Sequence, residues 1–378
     1  MKRFNKNEWK KVRLEECAYI NMGQSPASST YNVEQKGIPF YQGNADFGEL
    51  YPSIKYYCID PIKTAKSGDL LLSVRAPVGK INIATSYCCI GRGLCAIQAK
   101  ENICYQKYLY YVLKSREKEF NMKGNGSTFK SINKNQILET SFYLPNLEIQ
   151  KKIILRLDNI LKILNKKKQQ LLELEKLSKC LFFEMFGNLI INDKNWLFEP
   201  LEKICDVRDG THDSPEYVSE GFPLITSRNI VNNIIDFKNV NYISKIDFEK
   251  INKRSKVELG DILMPMIGTI GNPVIINSKR EFAIKNVALI KFKNSKVSNI
   301  FIRNLLSSEY FESIVRIKNR GGTQKFLSLN DIRKISIPIV SLELQNKFAK
   351  RIKLIEKSKF ALSKVLKIQL ECTFLKQI

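Results

Sequence analysis

The sequence predicts a mixed α/β (α+β) fold of two internally repeated domains with small twisted β-sheets, separated by two long helices packed as an antiparallel coiled coil. Three observations predict this pseudo-two-fold arrangement. The chain has 378 residues, more than one ordinary domain contains. Its second half repeats the motifs of the first in order, and each half closes with a long segment of helical periodicity. We expect a first domain at residues 1–145, a first long helix at 146–187, a second domain at 188–340 and a second long helix at 341–378.

The repeat consists of short motifs that return at a nearly constant distance. Trp9 with Leu14-Glu-Glu-Cys17 returns as Trp196 with Leu201-Glu-Lys-Ile-Cys205, Gly68-Asp69-Leu-Leu-Leu as Gly260-Asp261-Ile-Leu-Met, Gly126-Ser-Thr128 as Gly321-Gly-Thr323, and Leu147-Glu148-Ile-Gln150 as Leu342-Glu343-Leu-Gln345. The offset grows from 187 to 195 residues along the chain. Because the growth is gradual, the length differences belong to loops between elements.

The two long segments are predicted to be helices with one apolar seam each. Asn146 and Ser341 are suitable N-caps, and Gly187 can end the first helix. The apolar residues recur at steps of three, four or seven, as in a heptad pattern. We expect the helix–helix interface to contain Ile153, Leu157, Ile160, Leu164, Leu171 and Leu174 of the first helix, and Phe348, Ile352, Ile355, Leu362 and Leu366 of the second. The alternatives are packing on the helix's own domain or dimerisation with another chain.

The remaining segments show the short apolar runs of β-strands and two stretches of helical pattern. The strand-like runs are Leu70–Val74, Ile81–Ala84, Val274–Ile276 and Val287–Ile290. A helix is expected near Tyr105 to Glu119, and its counterpart near Ser298 to Val315. Both domains are therefore predicted to be mixed α/β.

The charge of the chain points to a polyanionic partner. Lysine and arginine number 62 against 37 acidic residues, a formal net charge of +25, and nucleic acid is the first candidate. Compositional bias towards lysine is one alternative, and a basic protein on a membrane surface is another. The start of the chain has no apolar signal region, and no apolar run approaches 18 residues, so a soluble cytoplasmic protein is expected.

The cysteines and the single histidine limit which metal sites and catalytic sites the chain can form. The nine cysteines include no CxxC pair, and His212 is the one histidine, which excludes a Cys/His zinc motif and predicts reduced, partly buried thiols. Vicinal Cys88 and Cys89 are interpreted as buried thiols rather than a redox pair. No nucleophile motif accompanies His212, so no catalytic residue and no metal site are predicted.

In the order of these motifs, the chain resembles the specificity subunit of type I restriction-modification systems over nearly its entire length. The motifs that carry the resemblance are the Trp9 and Trp196 starts, the run Gly68 to Lys80, the Gly-Ser/Gly-Thr motifs and the Leu-Glu-Ile/Leu-Gln helix starts. The second half departs at Met264-Pro-Met-Ile-Gly-Thr, where no arginine matches Arg75, so a shared role for Arg75 is in doubt.

The resemblance implies two target-recognition domains, each reading half of a bipartite, asymmetric DNA target, and a helix pair that sets the spacer. It implies a subunit that catalyses nothing and binds no cofactor. Two methyltransferase (modification) subunits would bind S-adenosylmethionine and methylate adenine, and two restriction subunits would use ATP and magnesium. In agreement, the sequence has no methyltransferase base-binding motif, no G-x-G-x-x-G and no P-loop.

DNA reading requires Lys, Arg, Asn, Gln or Ser side chains on exposed loops. The candidates of the first domain are Gln42, Asn44, Arg75, Lys80, Arg92 and Lys130. Those of the second domain are His212, Arg228, Asn229, Lys285, Asn286, Arg320, Gln324 and Lys325. For each of them the alternative is a solvated surface charge or a turn residue. Two other functions remain open: a free-standing methyltransferase or nuclease, and a DNA-binding regulator or scaffold without a modification partner.

Overall fold

A computed structural model describes residues 9–124, 130–231, 233–268, 270–292, 297–319 and 326–373. Two compact units are found, one of the residues up to Lys168 together with those from Lys364, and one of Gln169–Ser363. Each unit therefore contains one globular domain and a part of both long helices. Among the described residues, no helix is long and apolar enough to cross a membrane.

The first half contains eleven described strands and five described helices. The strands are β1 Lys10–Arg13, β2 Ala18–Met22, β3 Tyr31–Asn32, β4 Ile38–Tyr41, β5 Tyr56–Cys58, β6 Thr64–Ala65, β7 Leu70–Ser73, β8 Ile81–Ile83, β9 Cys88–Ile90, β10 Leu94–Ala99 and β11 Ser141–Leu144. The helices are α1 Leu14–Cys17, α2 Gln106–Ser115, α3 Glu117–Lys123, α4 Lys134–Leu138 and α5 Leu147–Phe186.

The second half continues with the same order of principal elements. Its strands are β12 Phe198–Pro200, β13 Asp206–Asp209, β14 Tyr217–Val218, β15 Phe222–Ile225, β16 Ile230–Val231, β17 Ile234–Ile235, β18 Asn241–Ile243, β19 Ile262–Pro265, β20 Val274–Ile275, β21 Ala283–Ile284, β22 Val287–Lys291 and β23 Ser336–Pro338. Its helices are α6 Leu201–Ile204, α7 Lys245–Ser255, α8 Asn299–Leu305, α9 Glu309–Lys318, α10 Leu329–Arg333 and α11 Leu342–Thr373.

The sheet topologies confirm the internal repeat and the mixed α/β class. A four-stranded antiparallel sheet has the order β2-β10-β7-β8 in the first domain and β13-β22-β19-β20 in the second. A second sheet, β3-β5-β4-β9-β6 or β14-β18-β15-β21, contains one parallel pair, β4 with β9 or β15 with β21. In both domains the first strand pairs with the strand that precedes the long helix, as β1 with β11 and β12 with β23.

The repeated Gly-Asp motif shapes the turn that enters a fully buried strand in each domain. Gly68 and Gly260 have the same left-handed φ of +89°, which a side chain would strain. The carboxylate of Asp69 accepts a hydrogen bond from the Lys66 amide at 2.7 Å, and that of Asp261 accepts one from Glu258 at 2.8 Å. The motif therefore recurs because both turns need the same backbone conformation and the same internal acceptor.

The repeated glutamine at each helix start ties the long helix to its own domain. Gln150 is fully buried; its Oε1 accepts from the Tyr105 amide at 2.9 Å, and its Nε2 donates to the carbonyls of Ile103 and Pro145. Gln345 is also fully buried and accepts from the Ser298 amide at 2.7 Å. These bonds satisfy the polar atoms of two buried side chains and pair them with backbone groups of the adjoining loops.

The long helices have the expected caps. The Asn146 side chain accepts from the Ile149 amide at 2.9 Å, the Ser341 hydroxyl accepts from the Leu344 amide at 3.3 Å, and Gly187 follows α5 with a φ of +76°. At about 1.5 Å per residue, a 40-residue α5 and a 32-residue α11 extend roughly 60 and 48 Å.

Within the second unit the two helices run antiparallel. The Phe348 ring, near the start of α11, lies 5.7 Å from that of Phe182 and 5.1 Å from that of Phe186, near the end of α5. Arg351 faces Glu184 at 3.9 Å. Phe348 and Ile352 also join the core of the second domain, and Ile153 and Leu157 lie in the core of the first. The seam residues at the start of each long helix thus pack in the core of a domain. The seam residues farther along the helices are half-buried, namely Ile160, Leu171, Leu174, Ile355, Leu362 and Leu366.

The predicted single helices near 105–119 and 298–315 were wrong as continuous elements. In the first, Arg116 has a φ of −101° and a ψ of 10°, which ends α2 and begins α3. In the second, Ser308 caps α9 from an extended conformation after α8 has ended. The breaks let both helical pieces pack on the sheet; Phe301 and Phe311 are fully buried there.

The vicinal cysteines have the buried environment expected for them. Cys88 and Cys89 are fully buried neighbours in β9, so their side chains point to opposite faces of the sheet, and they lie in different core clusters. Burial raises the pKa of each thiol to about 12. Neither is a thiolate at neutral pH, which disfavours redox chemistry there.

Candidate nucleic-acid interface

A cleft of about 580 Å³ lies at the carboxyl ends of the parallel strands β4 and β9 in the first domain. Four of the sequence candidates line it: Gln42 and Asn44 from the loop after β4, Arg75 from the loop after β7, and Arg92 from the loop after β9. Gln42 and Arg92 are exposed, and Asn44 begins a short 3-10 turn, Asn44–Asp46. The cleft therefore combines two guanidinium groups and two amides on one concave surface.

Glycines allow the three loops of this cleft to approach each other. A Cβ atom on Gly93 would lie 2.4 Å from the Gln42 carbonyl oxygen, and one on Gly23 would lie 2.2 Å from the Gly91 carbonyl oxygen. Only glycine permits such backbone contacts. The loop around Gly23 thereby brings Ser25 and Ser28 to the cleft.

Arg75 follows the buried strand β7 and pairs in an isolated antiparallel bridge with Ser131. The next residue, Ala76, donates its amide to the Lys130 carbonyl at 3.0 Å, so exposed Lys130 lies beside the Arg75 turn. Lys80 is placed differently. Its ammonium pairs with Glu117 at 2.5 Å and does not line the cleft.

The cleft is electropositive. Neither Arg75 nor Arg92 forms an ion pair with another residue of the described ranges, and no carboxylate side chain lines the cleft. Unpaired guanidinium groups at a concave surface suit phosphate, or the O6 and N7 atoms of guanine. Sequence reasoning missed Ser25, whose hydroxyl accepts from the Arg92 amide at 3.3 Å; the Ser/Pro-rich loop 24–30 was the available signal.

The second domain places its candidates at the matching strand ends. The Lys285 amide donates to Ile225 at 2.9 Å, as the Gly91 amide donates to Tyr41 at 2.8 Å. The Thr211 amide donates to Ile284 at 3.0 Å, as the Gln24 amide donates to Ile90 at 3.0 Å. These matching bonds align the residues that follow, which makes Asn286 the equivalent of Arg92 and His212 the equivalent of Ser25.

His212 is held in a hydrogen-bonded chain and is not a simple loop side chain. Its Nε2 lies 2.9 Å from Oδ2 of buried Asp209, and its Nδ1 lies 2.8 Å from Oδ1 of Asn286. Arg254 pairs with the other carboxylate oxygen of Asp209. The hydrogen bonds with Asn286 and Asp209 raise the pKa of the His212 imidazole above its usual value, and the nearby Arg254 charge opposes them.

Of the other candidates of the second domain, Arg228 is exposed, whereas Lys285 and Asn229 form hydrogen bonds within the protein. Arg228 is exposed on the 3-10 turn Ser227–Asn229, and half-buried Lys285 donates to the Ser214 hydroxyl at 2.5 Å. The expectation for Asn229 is contradicted. Its side chain is buried, accepts from the amide and hydroxyl of Thr226 and donates to the Asn239 carbonyl, so it stabilises the turn instead of facing DNA. Arg320, Gln324 and Lys325 lie outside the described residues.

Two isolated β-bridges show which residue of the second domain corresponds to Arg75. Arg75 pairs with Ser131 in the first domain, and Ile267 pairs with Phe326 at the corresponding position of the second. The Ile132 amide donates to Val74, and the Leu327 amide donates to Met266, in the same register. An apolar residue thus stands where the first domain has Arg75, so that the two domains present different chemistry from one scaffold.

Comparison with known proteins places the repeated domain in a family. The sequence model of the type I restriction modification DNA specificity domain matches residues 6–175 and again 193–372, and the chain belongs to this family. A curated relative, the putative type I restriction enzyme MjaX specificity subunit of Methanocaldococcus jannaschii, is 40% identical over 45% of this chain. That alignment spans only 41% of the relative's own length.

Two further similarities extend over most of the chain. The type I restriction enzyme EcoBI specificity subunit of Escherichia coli is 23% identical over 92% of this chain and 79% of its own. A crystal structure of a type I restriction-modification S subunit from M. genitalium covers 99% of this chain and 97% of its own, with 18% identity and a TM-score of 0.58. At that identity the structural match shows the fold, and it confirms the predicted class with its two repeated domains.

Proposed function

We propose that this chain is the DNA specificity subunit of a type I restriction-modification complex, in which each domain reads one half of a bipartite, asymmetric target. One observation carries the proposal. The same strand-end surface occurs in both domains, with Gln42, Asn44, Arg75 and Arg92 in one and His212, Arg228, Lys285 and Asn286 in the other. A common scaffold with unlike side chains suits two unlike half-sites.

The long helices would set the separation of the half-sites and dock the modification subunits. A helix is a stiff spacer, and insertions in it change distance and rotation in fixed steps. The chain would catalyse nothing itself. Two methyltransferase subunits would supply S-adenosylmethionine chemistry on adenine, and two restriction subunits would use ATP and magnesium. The complex would act in the cytoplasm.

Selection from a randomised duplex library by the purified chain, with its modification subunits, tests the proposal. The expected product is one motif of two different half-sites separated by a fixed number of unselected base pairs. Asn286→Ala should weaken selection in one half only. A single contiguous motif, or two identical halves, would contradict the proposal. Selection of a bipartite motif without adenine methylation would favour the regulator or scaffold.

A further inference from the structure

The His212 ring lies between two oxygen acceptors. Nε2 faces a carboxylate oxygen of Asp209, whose other oxygen is paired with Arg254, so the carboxylate accepts on this side. Nδ1 faces the amide oxygen of Asn286 at 2.8 Å. A ring nitrogen facing an acceptor must carry a proton. With Oδ1 of Asn286 on this side, the geometry fits the doubly protonated imidazolium, and the same two hydrogen bonds raise the pKa of His212.

The imidazolium determines which end of the Asn286 amide is presented. With Oδ1 accepting from Nδ1–H, the amide is turned so that Nδ2 points away from the ring. No hydrogen bond joins this Nδ2 to another residue of the described segments. Asn286 occupies the position at which Arg92 lines the cleft of the first domain, so its amino group faces the proposed reading surface.

The charged groups around the ring come from several elements. Asp209 ends β13, Arg254 lies near the end of α7, Asp213 follows His212 in the chain, and Lys285 precedes Asn286. Lys285 is directed to the Ser214 hydroxyl. Asp209 is thus the carboxylate bonded to the ring, and it holds the ring's orientation.

We propose that His212 is a positioning residue that holds the Asn286 amide with Nδ2 outward, so that the second domain selects guanine at the base position facing Asn286. The inference rests on the proposed function. An amino group carries two donors and no acceptor. Guanine presents two acceptors, O6 and N7, at its major-groove edge, whereas cytosine presents a donor there.

Loss of the Nδ1 proton would reverse this preference. In the neutral ring that keeps Nε2–H on Asp209, Nδ1 becomes an acceptor and bonds best to the amino group of Asn286. The amide then turns, and Oδ1 faces the reading surface. An outward oxygen accepts from the N4 amino group of cytosine or the N6 amino group of adenine. Base preference at this position is therefore coupled to the protonation of His212.

The experiment is library selection by the full complex at about pH 6 and about pH 9, on either side of the ordinary histidine pKa of about 6.5. The position to follow is the one whose selection Asn286→Ala abolishes. We expect the wild-type guanine-to-cytosine ratio there to be at least about ten-fold at the lower pH and several-fold smaller at the higher pH. His212→Ala should remove this pH dependence.

Two controls keep the result specific. Asn286→Asp presents acceptor oxygens only and should invert the preference to cytosine, which loss of folding cannot do. The first half-site in the same selected molecules should not change with pH, because Ser25 stands in the first domain where the second has His212, and a serine hydroxyl carries no charge to lose. A wild-type ratio independent of pH, or unchanged in His212→Ala, would overturn the inference. If no protein enriched a bipartite motif, the proposed function itself would fail.

Discussion

Arg92 of the first domain and Asn286 of the second stand at the same position of the repeated fold. Each is the second residue after a strand that pairs in parallel, β9 with β4 and β21 with β15, in the same register. A guanidinium presents five donors and an amide presents two donors and one acceptor site. The difference between two half-sites can therefore arise from side chains alone, without a change of backbone.

Arg92→Ala should relax selection in one half-site and leave the other intact. If the guanidinium contacts a guanine edge, the loss of discrimination is about 1 to 3 kcal/mol at one base pair. Library selection with the wild type and the variant measures it, and Asn286→Ala is the matched change in the other domain. Equal weakening of both halves by Arg92→Ala would show a nonspecific phosphate contact.

Arg228→Ala should affect only the half-site read by the second domain. Arg228 is exposed on the turn that follows β15, beside the loop of Lys285 and Asn286. Binding to duplexes altered in one half-site at a time measures the effect. A uniform loss on all duplexes, with a smaller salt dependence, would assign Arg228 to the DNA backbone instead.

A four-residue insertion in both α5 and α11 should change the spacer and retain both half-sites. Four residues add about 6 Å and about 40° of rotation to a helix. The exposed stretch Lys168–Gln170 of α5 is a suitable site because no seam residue lies there. Sequencing of selected DNA measures the spacer directly. Altered bases within either half-site would contradict the role of the helices as a ruler.

Gln150→Ala should destabilise the first unit by about 2 to 3 kcal/mol, because it leaves the Tyr105 amide and two carbonyls without the partner that the buried Gln150 side chain supplies. Urea unfolding followed by circular dichroism measures the change. Lys151→Ala, one residue along the same helix and exposed, is the control and should stay within about 0.5 kcal/mol. Equal effects of the two changes would remove the explanation given for the repeated glutamine.

The stabilising effect of His212 should decline with rising pH. Its folded-state pKa is raised, so its contribution is fully present below the unfolded pKa of about 6.5 and is lost as the pH rises through the folded pKa. The difference in unfolding free energy between wild type and His212→Ala should therefore be larger at about pH 5.5 than at about pH 9. Ser25→Ala, the equivalent change in the first domain, should show no such trend.

The sequence predicted the repeat, the long helices and their caps, because these depend on local signals such as the Asn146 cap and the Gly-Asp turn. Four of its candidates, Gln42, Asn44, Arg75 and Arg92, line one cleft, and their contacts with DNA stay a prediction. It could not separate Arg228, which is exposed, from Asn229, which is buried, because adjacent residues of a 3-10 turn differ in direction but not in sequence pattern. The Asp209–His212–Asn286 chain joins residues up to 77 positions apart, so only the fold reveals it.

The most direct test of the central claim is modification-sensitive sequencing of genomic DNA from cells with and without the gene for this chain. If the two domains read two unlike half-sites for a methyltransferase, adenine methylation will disappear at one bipartite, asymmetric motif. Restoring the gene with Arg92→Ala should return methylation at sites degenerate in one half only. An adenine methylome that is the same with and without the gene, in cells that express the modification subunit, would contradict the account.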